Sequence, residues 1–252
     1  MSLKAASLLA VFALSGTAFA QSAPAPDYTL SYNVGVVSDY RYRGISQSAK
    51  RPALQGGVDL SHSSGLYVGL WATTIQWIKD SGTDVRGPVE IDLYGGYKGA
   101  ITEGLSYDVG GLGYWYANND YKKVTGENAN TFELYGALSA GPATVKYSHS
   151  LTTLFGTPNS KNSGYLDVSA SFDLGSGFSV VPHVGWQHIK NFGTYRDLSL
   201  TLAKDFGDSL VGTVAVVDTN WENRFGAPYT LPGSGSRNLA GTGLVVGLKK
   251  TF

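Results

Sequence analysis

From Tyr28 to the last residue, apolar and polar side chains alternate with a period of two, and a helical period almost never takes over. Tyr28, Leu30, Tyr32, Val34 and Val36 fall on one parity, and Thr29, Ser31, Asn33 and Gly35 on the other. In an extended strand these two sets face opposite sides. The pattern returns in ALQGGVDLSH, LYVGLWAT, PVEIDLYGGYK, GLSYDVGGLGYWY and TFELYGALSA. It continues through ATVKYSH, GYLDVSASFD, FSVVPHVGWQH, RDLSLTLAKDF and SLVGTVAVVDT to GTGLVVGLKKTF. About twelve strands follow, an even number. Helical bundles, Rossmann folds and TIM barrels are excluded by the missing helical period.

The connections carry separate information. Five are short: SHSSG, KGAITEG, SAGPA, DLGSG and KDFGDS. They alternate with longer ones near residues 44–52, 78–87, 117–130, 151–163, 189–194 and 221–240. Short turns on one rim and long loops on the other characterise outer-membrane barrels. The fold class predicted is all-β: a transmembrane antiparallel up-and-down β-barrel of about 12 strands with both termini periplasmic. Pro182 cannot donate to a ladder and is expected at a bulge. The eleventh strand is apolar on both parities, so its facing stays open.

The first twenty residues combine Lys4, an apolar run and small residues ending Ala18-Phe19-Ala20, the pattern of a secretory signal peptide cut after Ala20. Domains are therefore expected as a signal peptide over 1–20, a short periplasmic leader over 21–27 and one barrel over 28–252. The expected location is the outer membrane of a Gram-negative bacterium. Lys plus Arg equals Asp plus Glu at 19 each, so no electrostatic case for nucleic acid exists. With no cysteine there is neither a disulfide framework nor a thiolate metal site. The 33 glycines and 16 tyrosines suit a β-protein with close backbone contacts and half-wet aromatic positions.

Facing follows from parity. SDYRYRGISQS, after the first strand, reads as a strand crossing the outer rim. Tyr40 and Tyr42 share the lipid-facing parity and, with Tyr28 and Phe252, are candidates for aromatic girdles. Asp39, Arg41 and Arg43 take lumen parity, and Gly44 releases the chain into the first long loop. The pore-lining candidates are Asp39, Arg41, Arg43, Asp59, Glu90, Asp92, Asp108, Glu133, Lys146, Asp167, His183, Asp197 and Lys249. Rings of such charges set ion preference. Mid-barrel acids outnumber bases, which favours cations, while Arg41 and Arg43 at the mouth oppose this. Tyr67 and Trp71 also take lumen parity, either as a stacking platform for a solute or, preferably, as packing for a loop folded inward.

Enzyme chemistry finds little support. Ser148 and His149 are adjacent on a strand and diverge. His62 sits in a turn, and His188 falls at the rim. His183 and His188 have opposite parity, and no H-E-x-x-H motif occurs. GTGLVVG has the wrong spacing for a dinucleotide fingerprint and opens no helix. No catalytic, cofactor-binding or metal-binding residue is expected, and no cofactor.

DYRYRGISQS, followed by PALQGGVDLSHSSGLYVGLWA and then VEIDLYGGYKG, resembles the opening signature of the TorF family of porin-like bacterial proteins. The sequence departs from that signature at Thr73-Thr74. The resemblance extends over essentially the whole mature chain and implies an outer-membrane β-barrel channel, with no catalytic residues to carry over. The last strand, ending in Phe252, is similar to the signal read by barrel-assembly machinery. Expected partners are therefore outer-membrane lipids, that machinery, and small solutes or ions. The function expected is passive passage of small solutes or ions through a narrow charged lumen. The alternatives are a closed structural or adhesive barrel whose loops bind a partner, or an outer-membrane lipid-modifying enzyme.

Overall fold

The computed structural model describes residues 27–252, so the expected signal peptide and all of the leader except Asp27 lie outside the described residues. Twelve strands form the wall: β1 (Tyr28–Val37), β2 (Ala53–His62), β3 (Leu66–Thr74), β4 (Val89–Thr102), β5 (Leu105–Tyr116) and β6 (Thr131–Ala140). They continue as β7 (Ala143–Ser150), β8 (Gly164–Ala170, resuming at Phe172–Gly175), β9 (Phe178–Ile189), β10 (Gly193–Asp205), β11 (Leu210–Thr219) and β12 (Gly243–Thr251). Each pairs antiparallel with its neighbours in sequence. The ring closes where β1 pairs with β12, Val34 opposite Lys250 and Val36 opposite Leu248.

The alternation becomes a two-faced wall. In β6, Phe132, Leu134 and Leu138 are exposed on the outside, while Thr131, Glu133, Tyr135 and Ser139 are buried inside. Leu30, Val34, Leu54, Leu70, Leu93, Leu200, Val216 and Val246 continue the exposed apolar surface around the ring. Scattered apolar residues are ordinary on a soluble protein, but a continuous apolar band marks a contact with an apolar phase. In the eleventh strand Val214 and Val216 face outward, which resolves the facing that its two apolar parities left open.

Pro182 is not at a bulge. It stays in register with Leu200 of β10, so its missing N–H falls on the β8 side. There the ladder runs to Ser169–His183 and resumes at Phe172–Val180, leaving the break at Ser171. The residues flanking that break keep one register, and the irregularity in β8 lies lower, between Asp173 and Gly175. The connection expected as a long loop near 189–194 is a tight turn instead: Ile189 pairs with Gly193, and Asn191 adopts φ 60°. A short polar side chain tolerates that left-handed conformation. The remaining long connections gather at the rim opposite Asp27 and Phe252.

The largest departure from the parity reading is at residues 38–48. β1 ends at Val37, and the chain then turns inward as a small hairpin, Arg41–Tyr42 pairing with Ile45–Ser46. Its two turn residues, Arg43 (φ 47°) and Gly44 (φ 80°), both adopt left-handed backbone. That is the geometry of the two-residue hairpin turn, in which glycine is the usual second residue. A hairpin keeps the period of a strand, so parity continues through it while direction does not.

Candidate functional site

The bore of the barrel is the site, and the hairpin is its principal occupant. Arg43 at the tip reaches the far wall. Its guanidinium donates to Glu133 Oε2 on β6 at 2.7 Å and to Gln187 Oε1 on β9 at 2.5 Å. The same group lies over the rings of Tyr42 and Tyr165, 4.7 and 4.3 Å from their centroids. Tyr195 Oη donates to the Arg43 carbonyl at 3.1 Å. In a ring of twelve strands β6 stands nearly opposite β1, so the hairpin spans the opening. Arg43 and Glu133 are both almost fully buried, an arrangement stable only because each charge has its partner.

The rest of the zipper holds the hairpin in shape. Asp39 accepts from Arg41 Nε at 2.8 Å and from Ser46 Oγ at 2.6 Å. Arg41 also donates to the carbonyls of Gly44 and Gly241, at 3.2 and 2.7 Å. These residues brace the hairpin and do not stand on the wall. Tyr40 and Tyr42, expected at the lipid girdle, are turned inward. Tyr40 Oη donates to Glu90 at 2.7 Å and its ring packs on Trp71 at 5.5 Å. Tyr42 shares a 2.6 Å hydrogen bond with Tyr114 and packs edge-on against Phe155. The strand ends before them, so their parity refers to a different element. Tyr28 and Phe252 are outward, 61 % and 68 % exposed.

Below the hairpin the inward carboxylates are matched by phenols. Tyr94 donates to Asp59 at 2.5 Å, Tyr67 to Asp108 at 2.5 Å, and Tyr165 to Asp197 at 2.8 Å. Tyr67 also meets the Tyr135 hydroxyl. His183 contacts Asp167 at 2.8 Å, and the Lys146 ammonium lies 3.9 Å from the centre of the Tyr135 ring. Glu90 and Asp92 are buried side by side on the inward face of β4, and Asp92 Oδ1 has no hydrogen-bond partner among the described residues. Lys249 takes the inward parity of β12 alongside Gly247.

Parity set Tyr67 inward but missed the pairing of phenols with carboxylates, although the composition carried the signal. Tyr94, Tyr114, Tyr135 and Tyr165 are all inward. Three of them lie across glycines of a neighbouring strand. A Cβ at Gly69 would meet Tyr94, one at Gly110 would meet Tyr135, and one at Gly185 would meet Tyr165. Close approach of a ring to the backbone requires the missing side chain. An inward glycine opposite an inward tyrosine, repeated between neighbouring strands, is the pattern that would have revealed them.

The histidines separate. Ser148 is buried inside, whereas His149 is outside beside the Tyr147 hydroxyl at 3.4 Å. On the outward face near the loop rim, His188 Nδ1 lies 3.0 Å from Thr194 Oγ1. No group of three or more metal-ligating side chains is clustered among the described residues. Nor is any helix among them long and apolar enough to cross a membrane.

A closed twelve-stranded antiparallel barrel with a polar, charge-paired bore is the architecture of an outer-membrane porin. Residues 21–252 match the family described as "Bacterial protein of unknown function (Gcw_chp)", and the chain belongs to that family. Among solved structures it is similar to a KdgM porin, with TM-score 0.55 and 8% identity, covering 88% of this chain and 98% of that one. A KdgM porin in complex with disordered oligogalacturonate gives TM-score 0.54 at 9% identity, with the same coverage. A NanC porin gives 0.53 at 9%, again covering 88% and 98%. At such identities the likeness is one of fold. No curated protein matches the chain.

Proposed function

We propose that this chain is an outer-membrane channel for small solutes or ions, narrowed by its own 38–48 hairpin. The observation that carries the reading is Arg43, held across the bore between Glu133 and Gln187. The porin fold, the outward apolar band and the inward charges support it. The resemblance of the first hairpin region to TorF-family porins points the same way. The family match beginning at residue 21 agrees with a signal peptide ending at Ala20. In this reading the long loops are extracellular, the termini are periplasmic, and the strand ending in Phe252 is what assembly machinery engages. Inward carboxylates outnumber inward bases, which disfavours a polyanion such as oligogalacturonate and favours neutral solutes and cations.

Planar-bilayer recording of the refolded mature protein tests the reading. Wild type gives small discrete steps, and deletion of residues 41–46 enlarges them severalfold. If both proteins are folded and both stay silent, the channel reading fails. The hairpin also favours a second reading, a closed barrel whose loops bind a partner. Silence in wild type followed by conduction only after the deletion would establish that state. The exposed His188–Thr194 and His62–Ser64 contacts are the features among the described residues that suit a lipid-modifying enzyme. That alternative requires lipid hydrolysis that His188→Ala abolishes, and none is expected.

A further inference from the structure

Above the hairpin, on the loop side, lies a partly open cavity of about 230 Å³. Trp77, Tyr116, Tyr121 and Phe155 line one side. Their rings already pack edge-on against one another, Trp77 at 4.9 Å from Tyr121 and 5.3 Å from Tyr116. Trp221 and Phe192 line the other side, 5.9 Å apart. The floor is the hairpin itself, with Arg43 and Gln187.

Three features define what such a space accepts. Its lining holds no carboxylate, and its one cation, Arg43, is neutralised by Glu133, so a charged ligand would find no free counter-charge. Its volume is below the roughly 300 Å³ at which drug-sized pockets begin, so the ligand is one ring and a small substituent. Trp77 is buried, 6 % exposed, and its ring forms part of the wall.

We propose that this vestibule binds a small uncharged aromatic compound, stacked between the ring walls. The site rests on the channel reading for its role, as the place where a solute waits above the hairpin, but not for its existence. Occupancy would lie directly on the hairpin and so bear on passage.

The test uses benzamide as probe with the detergent-solubilised mature protein, followed by tryptophan fluorescence and titration calorimetry. Saturable binding near one to one is expected. Cyclohexanecarboxamide, which has the same amide on a puckered ring, should bind about 10-fold more weakly, as should benzoate and glucose. Trp77→Phe shrinks one ring wall and should weaken benzamide about 2- to 12-fold. Tyr121→Leu should weaken it further while the barrel stays folded by circular dichroism. No saturation below about 10 mM overturns the proposal. So does equal affinity for the cyclohexane amide, or binding unchanged in both variants, which would mean partition into the micelle. Conductance measured on the same preparations separates the two claims. A conducting protein that does not bind loses only the site, and a binding protein that does not conduct loses only the channel.

Discussion

At the scale of single residues, the bore is governed by Arg43 and Gly44. A non-glycine residue in left-handed backbone costs on the order of 1–3 kcal/mol and persists where its surroundings hold it. Arg43 is held by Glu133, Gln187 and Tyr195. Arg43→Ala removes that hold and leaves Glu133 buried without its partner, a loss of about 3–5 kcal/mol in comparable pairs. The hairpin should then leave the far wall, and step conductance should rise with no loss of barrel content by circular dichroism. Gly44→Ala acts by collision. A Cβ there would lie 2.5 Å from Thr219 Cγ2 and 2.7 Å from Asp197 Cβ, on a backbone at φ 80°. It should raise conductance in the same direction even though the Arg43 side chain remains. Arg43 was legible as an inward charge but not as a crossing one. Parity gives the side of a strand and says nothing of where the strand stops. The strand stops at Val37, and the left-handed Arg43-Gly44 turn that reverses the hairpin lies inside a period-two run where only the glycine marks it.

At the scale of elements, the strands were readable because each buries one face and exposes the other, so a slip of one residue would invert every side chain. All twelve stand where the alternation places them. What sequence did not give was the use of the loops, because their contacts join distant segments. The loops at 75–88 and 117–130 are tied by Arg86, whose Nε lies 2.7 Å from Asp120. Hydrogen bonds from Arg86 and Lys123 hold the Asp120 carboxyl well below the usual carboxylate range. Because the folded value is depressed, the tie is complete above the ordinary carboxylate pKa and is lost as pH falls through the folded one. Arg86 is exposed, so the effect is local. Hydrogen-exchange protection in the 117–130 loop, taken relative to the intrinsic rate at each pH, should stay constant from neutral pH down to about pH 4 and fall only below it. Asp120→Asn should show the lower protection already at pH 7.

The break opposite Pro182 makes a second prediction for an element. Pro182→Ala restores an N–H toward β8 and should slow exchange at Ala170 and Ser171. Global stability should change by less than about 1 kcal/mol, because the gained hydrogen bond is offset by a freer unfolded chain.

At the scale of the whole molecule, the inward charges act together. Asp59, Glu90, Asp92, Asp108, Glu133, Asp167 and Asp197 face a smaller set of bases, with Lys146 and Lys249 the chief ones below the hairpin. In a salt gradient the reversal potential of an open barrel should carry the sign of cation preference, and Asp92→Asn should reduce it. An anion preference would show that Arg43 and the lysines dominate the field. The balance was legible from sequence because parity assigns charges to faces. The net effect of the mouth was not, because Arg41 and Arg43 are spent on Asp39 and Glu133 within the protein.

The hairpin leaves from the first strand of the ring, yet part of what fixes it comes from the last stretch of chain. Ser46 N donates to Leu239 O, Arg41 to Gly241 O and Arg237 to Ala49 O, all just ahead of β12. Those three bonds can form only once the segment ahead of β12 is in place, so the full bracing of the hairpin waits for the last part of the chain to be made.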